Sequence, residues 1–141
     1  MPLPHASGTC FCSDCRTRAR LAAPTLHGFL GKQPGERNAL RQVFAWCPWC
    51  ATWHRHGDDT NQPGDVLHRY PHCWAGQGPY KGTGYLIAVS NIPLSDIYRR
   101  MKRPTPNQQQ IITAGQTTPA IERLRAQVLP LLRPQHHGGW S

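Results

Sequence analysis

The sequence predicts a small α+β fold with few short strands, short flanking helices and long loops. Leu, Ile, Val and Phe together make up about 18% of the 141 residues, which is too little for a large aliphatic core. Gly and Pro make up about 19%, so the regular elements are expected to be short. Six cysteines, including two C-x-x-C pairs, suggest that metal coordination supplies the stability that apolar packing does not.

The first third of the chain is predicted to contain one short helix and a loop. Asp14 can cap a helix over 15–23, which Pro24 would end. Glycines and prolines are frequent between 24 and 36, and this composition predicts a loop. Apolar residues spaced i, i+3 and i+4 within 37–44 fit either a short helix or a strand leading into the second C-x-x-C pair.

The middle of the chain is predicted to be extended. Residues 52–56 are expected to form an extended segment, and residues 57–65 a polar turn region. The sequence Tyr-Leu-Ile-Ala-Val-Ser at 85–90 is the best strand candidate in the chain, since it combines aromatic and β-branched residues.

The last third is predicted to be helical around a linker. Apolar residues spaced i, i+3, i+4 and i+7 predict a helix over 94–103. Residues 104–118 are polar and favour a linker. Thr118 followed by Pro119 is typical of a helix start, and this helix is expected to end near Leu129.

The second C-x-x-C pair is the stronger metal-binding candidate. Two residues separate Cys47 from Cys50, so their sulfurs can converge on one ion. Pro48 suits the tight turn between them. Cys73 is the only cysteine downstream of this pair. These three thiolates predict a central zinc site that needs one more ligand.

A histidine is expected to complete the central site. We favour His68, which precedes Cys73 with four residues between them. His54 and His56 are alternatives because residues i and i+2 share one face of a strand. His72 is a further alternative, although adjacent residues rarely point at the same metal.

A second metal site is predicted near the N-terminus. Cys10, Cys12 and Cys15 provide three thiolates within six residues, and His5 or His27 could provide the fourth ligand. A rival scheme joins the two C-x-x-C pairs in one all-thiolate site, and a third leaves the N-terminal cysteines without metal. The sequence therefore predicts one or two Zn²⁺ ions per chain.

The positive charge is concentrated at both ends of the chain. The net charge of +9 divides into +4 over 1–41, zero over 42–90 and +5 over 91–141. We accordingly predict three parts: a basic N-terminal cysteine cluster and loop at 1–41, a metal-binding core with a basic helix at 42–103, and a linker, C-terminal helix and tail at 104–141.

The predicted helix over 94–103 is a candidate nucleic-acid-binding element. Its apolar stripe would pack on the core and leave four cations facing solvent, where phosphates can be bound. These cations are Arg99, Arg100, Lys102 and Arg103. A solvated basic surface with no ligand is the simpler alternative.

Tryptophans surround the central cysteines. They are expected either to replace the missing aliphatic core or, for one or two of them, to stack on bases or a partner peptide. The four are Trp46, Trp49, Trp53 and Trp74.

The central motifs resemble zinc-ribbon proteins, and more narrowly small Cys/His proteins of actinobacteria and their mobile elements. The resemblance is carried by Cys-Pro-Trp-Cys at 47–50, Trp-His-Arg-His-Gly at 53–57, and the segment from His68 to Tyr85. It covers about residues 43–90, and it departs from the usual zinc ribbon in lacking a second downstream C-x-x-C pair. It implies structural zinc and macromolecular recognition without catalysis.

Three functions are compatible with these observations. We favour a zinc-stabilised nucleic-acid-binding protein, a regulator or accessory factor. The alternative is a zinc-dependent adaptor that docks on a protein of a transcription or other nucleic-acid machine. A metal-dependent hydrolase has the weakest support, because the sequence shows no H-E-x-x-H motif, phosphate-binding glycine loop or nucleophile signature.

The sequence shows no targeting or membrane segment. Its start lacks a basic stretch followed by an apolar one, and no apolar run approaches the length needed to span a bilayer. We therefore expect a cytoplasmic protein with no membrane partner, and we find no indication of a small-molecule substrate.

Overall fold

A five-stranded mixed β-sheet forms the centre of the structure. The structure is a computed structural model, and it describes residues 12–57, 60–73 and 78–130. The strands are β1 (Thr25–Gly31), β2 (Gln42–Cys47), β3 (Thr52–His56), β4 (Val66–Arg69) and β5 (Tyr85–Val89), and their order in the sheet is β3-β2-β1-β5-β4. β1 and β5 are parallel, and the other neighbours are antiparallel. Together with the short helices that flank it, this sheet confirms the predicted α+β class.

In the described part of the chain, the elements that flank the sheet include three α-helices and two 3₁₀ turns. The helices are α1 (Ser13–Ala22), α2 (Pro106–Thr113) and α3 (Pro119–Arg125), and the 3₁₀ turns span Leu94–Asp96 and Tyr98–Arg100. Thr105 and Thr118 cap α2 and α3, because each hydroxyl accepts a hydrogen bond from a backbone N–H of the first turn. No helix among the described residues is long and apolar enough to cross a membrane.

The alternation of side chains along β2 separates two buried faces. Phe44 and Trp46 lie on one face, together with Phe29 and Trp53 of the neighbouring strands. We call this the aromatic face. It is covered by residues of the 3₁₀ turns and of the C-terminal region: Leu94, Ile97, Tyr98, Met101, Leu124 and Leu129.

The opposite face of β2 carries Val43, Ala45 and Cys47, and we call it the cysteine face. Side chains of β1, β5 and the loop before β5 pack against it; they include Leu26, Leu30, Tyr80, Tyr85, Ile87 and Val89. Gly28 allows β2 and β5 to approach β1 on this face, because a Cβ atom there would lie 2.3 Å from the Cγ2 atom of Ile87.

Several predicted elements are confirmed. The N-terminal helix is α1, although Cys12 rather than Asp14 is its N-cap residue. The extended segment at 52–56 is β3, and the segment at 85–90 contains β5. The region 37–44, left open between helix and strand, leads into strand β2. The last helix begins at Pro119 as expected but ends at Arg125.

Other predictions are wrong. Residues 25–31 form the central strand β1 instead of a loop, because pairing on both sides overrides the local effect of their glycines. The predicted linker contains α2. The predicted α-helix over 94–103 is two 3₁₀ turns, in which the i, i+3 spacing of its apolar residues still places them on one side.

The predicted boundary at residue 41 remains a prediction of domain organisation. Within the described residues, β1 lies before this boundary and pairs with β2 after it, with Phe29 opposite Phe44.

Candidate metal centre

The turn between β2 and β3 forms a cysteine knuckle, residues 47–51. Cys47 ends β2, and the backbone N–H of Cys50 donates a hydrogen bond of 3.5 Å to the sulfur of Cys47. Ala51 has a φ of 52°, a left-handed conformation that turns the chain into β3. Both cysteines are fully buried. The knuckle therefore holds two sulfurs side by side on the cysteine face.

β3 brings His54 to the same place. His54 pairs with Ala45 across the β2–β3 ladder, so its ring lies on the face that Ala45 and Cys47 share. Its side chain is only 6% exposed. The strand thereby delivers an imidazole to the two sulfurs of the knuckle.

Cys73 completes the group from a separate segment that follows β4. Its sulfur lies 3.9 Å from the sulfur of Cys47 and 3.7 Å from Nε2 of His54. The four potential ligand atoms of Cys47, Cys50, His54 and Cys73 all lie within 4.8 Å of one another.

These separations fit a tetrahedral zinc ion. Zn–S bonds of about 2.3 Å and Zn–N bonds of about 2.0–2.1 Å require S···S distances of about 3.8 Å and S···N distances of about 3.6 Å. The distances from Cys73 match both values. The site is thus compatible with Zn²⁺ bound by three cysteines and one histidine.

The electrostatics of this four-residue cluster (Cys47, Cys50, His54 and Cys73) would also favour a bound cation. Contacts with Cys50 and Cys73, followed by burial, raise the pKa of Cys47 far above its ordinary value. At Cys73 the contact with Cys47 lowers the pKa, but the contact with Cys50 and burial outweigh it and raise the pKa to about 12. The thiols of Cys47 and Cys73 therefore resist ionisation by themselves, and a divalent ion would stabilise their thiolate forms.

Trp49 and Gly78 cover the cluster. A Cβ atom on Gly78 would lie 3.2 Å from both the sulfur of Cys73 and Cε3 of the Trp49 ring, so Gly78 fits closely between them. The guanidinium of Arg125 in α3 lies 4.9 Å from the centre of the Trp49 ring. The knuckle is thus in contact with both the Cys73 segment and the last helix.

A histidine–tyrosine pair lies beside the cluster on the cysteine face. Nε2 of His56 and the hydroxyl of Tyr85 share a hydrogen bond of 2.6 Å. Burial, followed by the nearby His54, Arg69 and His72, lowers the pKa of His56 to about 4. Burial and the neighbouring cysteines raise the pKa of Tyr85 well above its ordinary value. Both side chains are therefore neutral near pH 7, and they connect β3 to β5.

The structure places His54, and not His68, with the three cysteines. His68 pairs with Leu86, whereas the adjacent pair Leu67 and Ile87 packs on the cysteine face. Because neighbouring residues of a strand point to opposite faces, His68 points away from the cluster. Its Nε2 donates a hydrogen bond of 2.7 Å to the carbonyl of Thr83.

The other two candidate histidines also lie outside the four-residue cluster. His56 contacts Tyr85, as described above, and the ring of His72 stacks against that of His56 at 6.3 Å. The spacing Cys47-x₂-Cys50-x₃-His54 contains a signal for the histidine that lies in the cluster, since it places a histidine on a strand directly after the knuckle. Choosing it over His56 requires the strand register.

The predicted N-terminal site remains a prediction. Cys10 and His5 lie outside the described residues, and His27 is exposed on β1. Cys12 and Cys15 lie at the start of α1, where Nη2 of Arg18 is 3.8 Å from the sulfur of Cys15. In the part of the chain that the structure describes, the Cys47 cluster is the only group of at least three potential ligands, and it includes neither N-terminal cysteine.

The tryptophans mostly serve packing. Trp46 and Trp53 are buried on the aromatic face, where their rings meet edge to face with 5.2 Å between centroids. Trp49 is half-buried over the metal cluster, and Trp74 lies outside the described residues. The described rings thus supply core area in place of aliphatic side chains.

The four predicted phosphate-binding cations are all exposed, and we call residues 99–103 the basic segment. Arg99 and Arg100 belong to the second 3₁₀ turn, and Lys102 and Arg103 follow it. The segment follows Tyr98, which is buried on the aromatic face. The cations therefore face solvent from a part of the chain that is anchored in the core.

Comparison with protein families, curated proteins and solved structures finds no match for this chain. The candidate metal site formed by Cys47, Cys50, His54 and Cys73 thus rests on its own geometry, and the comparisons lend no support to a zinc-ribbon relationship.

Proposed function

We propose that the chain is a zinc-stabilised nucleic-acid-binding protein in which the basic segment contacts phosphates. The observation that carries this proposal is the display of four exposed cations on a short segment that is held in place on both sides. Zinc would stabilise the fold, and the arginines and the lysine would bind the ligand.

The ligand set favours a structural role for the metal. Cys47, Cys50, His54 and Cys73 would fill all four positions of a tetrahedral zinc ion, whereas catalytic zinc keeps one position for water or substrate. Three of the four ligands are buried. These features argue against the hydrolase alternative.

Tyr98 supports the basic segment from within the core. Its ring stacks on Trp53 with 5.9 Å between centroids, and Nε1 of Trp53 donates a hydrogen bond of 3.3 Å to its carbonyl. Nη1 of Arg103 donates to the Tyr98 hydroxyl at 2.9 Å, and its guanidinium lies 5.0 Å from the ring centre. The start and end of the segment are thus both attached to one buried residue.

Gln127 supports the segment from the other side. The backbone N–H of Lys102 donates to Oε1 of Gln127, and Nε2 of Gln127 donates to the Lys102 carbonyl, both at 2.8 Å. A segment ordered before binding loses less conformational entropy when it meets its ligand. The backbone is therefore fixed, Arg103 is held against Tyr98, and the exposed side chains of Arg99, Arg100 and Lys102 remain available for phosphates.

A salt titration tests the proposal. We expect the purified chain to bind a mixed-sequence DNA duplex or a single-stranded RNA, with log K falling by about 0.9 per log unit of salt for each duplex phosphate neutralised. The double variant Arg99→Ala/Arg100→Ala should weaken binding and flatten this slope. The double variant Arg37→Ala/Lys81→Ala removes two exposed cations elsewhere and should leave the slope nearly unchanged.

Two results would count against nucleic-acid binding. One is the absence of binding to either probe at low salt, and the other is an equal loss in both double variants, which would indicate only general attraction to a basic protein. Capture of a protein partner that persists after nuclease treatment would instead favour the adaptor alternative.

A further inference from the structure

Arg125 connects the metal cluster to α3. Its Nε donates a hydrogen bond of 2.7 Å to the carbonyl of Trp49, and its guanidinium lies over the Trp49 ring. Trp49 lies between the two knuckle cysteines, and its ring contacts Gly78 next to the sulfur of Cys73. The position of the Trp49 backbone and ring is therefore tied to the geometry of the sulfurs.

The residue Gln127, just after the end of α3, in turn holds the basic segment. Gln127 follows Arg125 by two residues and makes the two backbone hydrogen bonds to Lys102. The same Gln127 amide donates to the carbonyl of Leu124, whose side chain packs against the aromatic face. A continuous set of contacts thus runs from the knuckle through Trp49, Arg125 and Gln127 to Lys102.

We propose that Arg125 is a positioning residue through which metal binding at the cysteine cluster orders the basic segment for its ligand. The metal would fix the knuckle, the knuckle would fix Arg125 and α3, and Gln127 would then hold the Lys102 backbone. This inference rests on the proposed nucleic-acid function for its biological meaning, but the ordering of the segment can be measured without any ligand.

The first experiment uses the full-length, zinc-loaded chain and backbone hydrogen exchange. In Arg125→Ala and Arg125→Lys, exchange over 99–103 should rise while zinc content stays the same as in the unmodified chain. Lysine keeps the charge but loses the Nε donor and the planar group that stacks on the ring. In the unmodified chain, removal of zinc by a chelator should also change the tryptophan fluorescence.

Two neighbouring residues provide matched controls. Arg123→Ala removes an exposed arginine of the same helix, and Glu122→Gln removes the ion-pair partner that lies 3.0 Å from Nη1 of Arg125. Neither should change exchange over 99–103. If both Arg125 variants keep the exchange of the unmodified chain, the proposal is wrong, whatever the protein binds.

The second experiment measures affinity for the same duplex and RNA probes. Both Arg125 variants should bind the ligand at least about fivefold more weakly, the lower end of the effects seen between coupled sites. Combining Arg125→Ala with Gln127→Ala should add little to either single effect, because both changes break one connected set of contacts. A Lys variant that restores full affinity would instead show that Arg125 acts only as a phosphate contact.

The two proposals can fail separately. If no form of the chain binds either probe, the proposed function fails, while the exchange measurement still decides whether Arg125 orders the basic segment. If the unmodified chain binds but the Arg125 variants bind equally well, the function stands and the positioning role is rejected.

Discussion

The aromatic face and the cysteine face share one sheet but close in different ways. On the aromatic face, Trp46 and Trp53 pack against Tyr98 and the 3₁₀ turns, and burial of apolar area is sufficient to hold them. On the cysteine face, three thiols, a histidine and a His56–Tyr85 hydrogen bond lie among the apolar side chains. One face is therefore held together by packing, whereas the other also carries a group of four side chains compatible with a bound Zn²⁺ ion.

The polar atoms of the two faces reinforce this contrast. On the aromatic face, Nε1 of Trp46 is buried and has no hydrogen-bond partner among the described residues. On the cysteine face, the four potential ligand atoms lie within 4.8 Å of one another, and the sulfur of Cys73 contacts both Cys47 and His54. The two faces should therefore respond differently to mutation.

Removal of the metal should have the largest effect. Structural zinc supplies about 10–16 kcal/mol of apparent binding free energy, which is comparable to or larger than the about 5–15 kcal/mol by which a whole domain is stable. We expect a strong chelator to abolish cooperative thermal unfolding as followed by circular dichroism, and added Zn²⁺ to restore it. An unchanged cooperative transition in chelator would contradict the proposed role of zinc.

The identity of the histidine ligand gives the next largest effect. His54→Ala should lower zinc affinity by more than about 100-fold, since loss of a ligand should cost more than the 10–100-fold typical of residues that only support ligands. His68→Ala is the matched control and should leave affinity unchanged. Competition with a chromophoric chelator measures both, and equal losses in the two variants would reject the assignment.

Native mass spectrometry of the same samples counts the ions. One zinc per chain is expected from the central cluster, and two would support the separate N-terminal site predicted from the sequence.

Damage to the aromatic face should reduce stability without releasing metal. Phe44 is fully buried and contacts Tyr98 edge to face at 6.2 Å, so Phe44→Ala should lower the free energy of unfolding by about 3–5 kcal/mol. Denaturant unfolding in excess zinc measures this loss. Zinc content of the folded protein should remain at the level of the unmodified chain, and its loss would show that the faces are not independent.

The His56–Tyr85 pair should give the smallest effect. Tyr85→Phe leaves the ring nitrogen of buried His56 without its partner, which should cost about 1–3 kcal/mol of unfolding free energy. Replacing both residues by Phe should cost less than the sum of the two single changes, because no polar atom is then left unpaired. Simple additivity in this cycle would show that the hydrogen bond contributes nothing.

The comparison also shows which parts of the structure can be predicted from sequence. β3, β5 and α3 were predictable because each has a local signal: aromatic and β-branched residues in the strands, and a Thr-Pro start for the helix. β1 has the opposite signal, since its two glycines favour a loop, and only pairing with β2 and β5 makes it a strand.

The metal ligands show the same limit. The three cysteines follow from spacing, but the choice between His54 and His68 depends on which face of the sheet each residue occupies. That choice requires strand register, which a single sequence does not provide for β4. The segment 94–103 was predicted as one α-helix and contains two 3₁₀ turns instead, because apolar positions three residues apart fit both kinds of helix.

The knuckle and β3 together bring Cys47, Cys50 and His54 into one hairpin. By contrast, β1 pairs with β5, which lies about 60 residues further along the chain. Short-range contacts form before long-range ones, because closing a long loop costs more entropy. If the cluster binds Zn²⁺ as proposed, this hairpin would offer the ion three ligands before the parallel pairing exists. Arrival of Cys73 would then draw the second half of the chain onto the first, so that metal supply would influence the order of folding as well as its outcome.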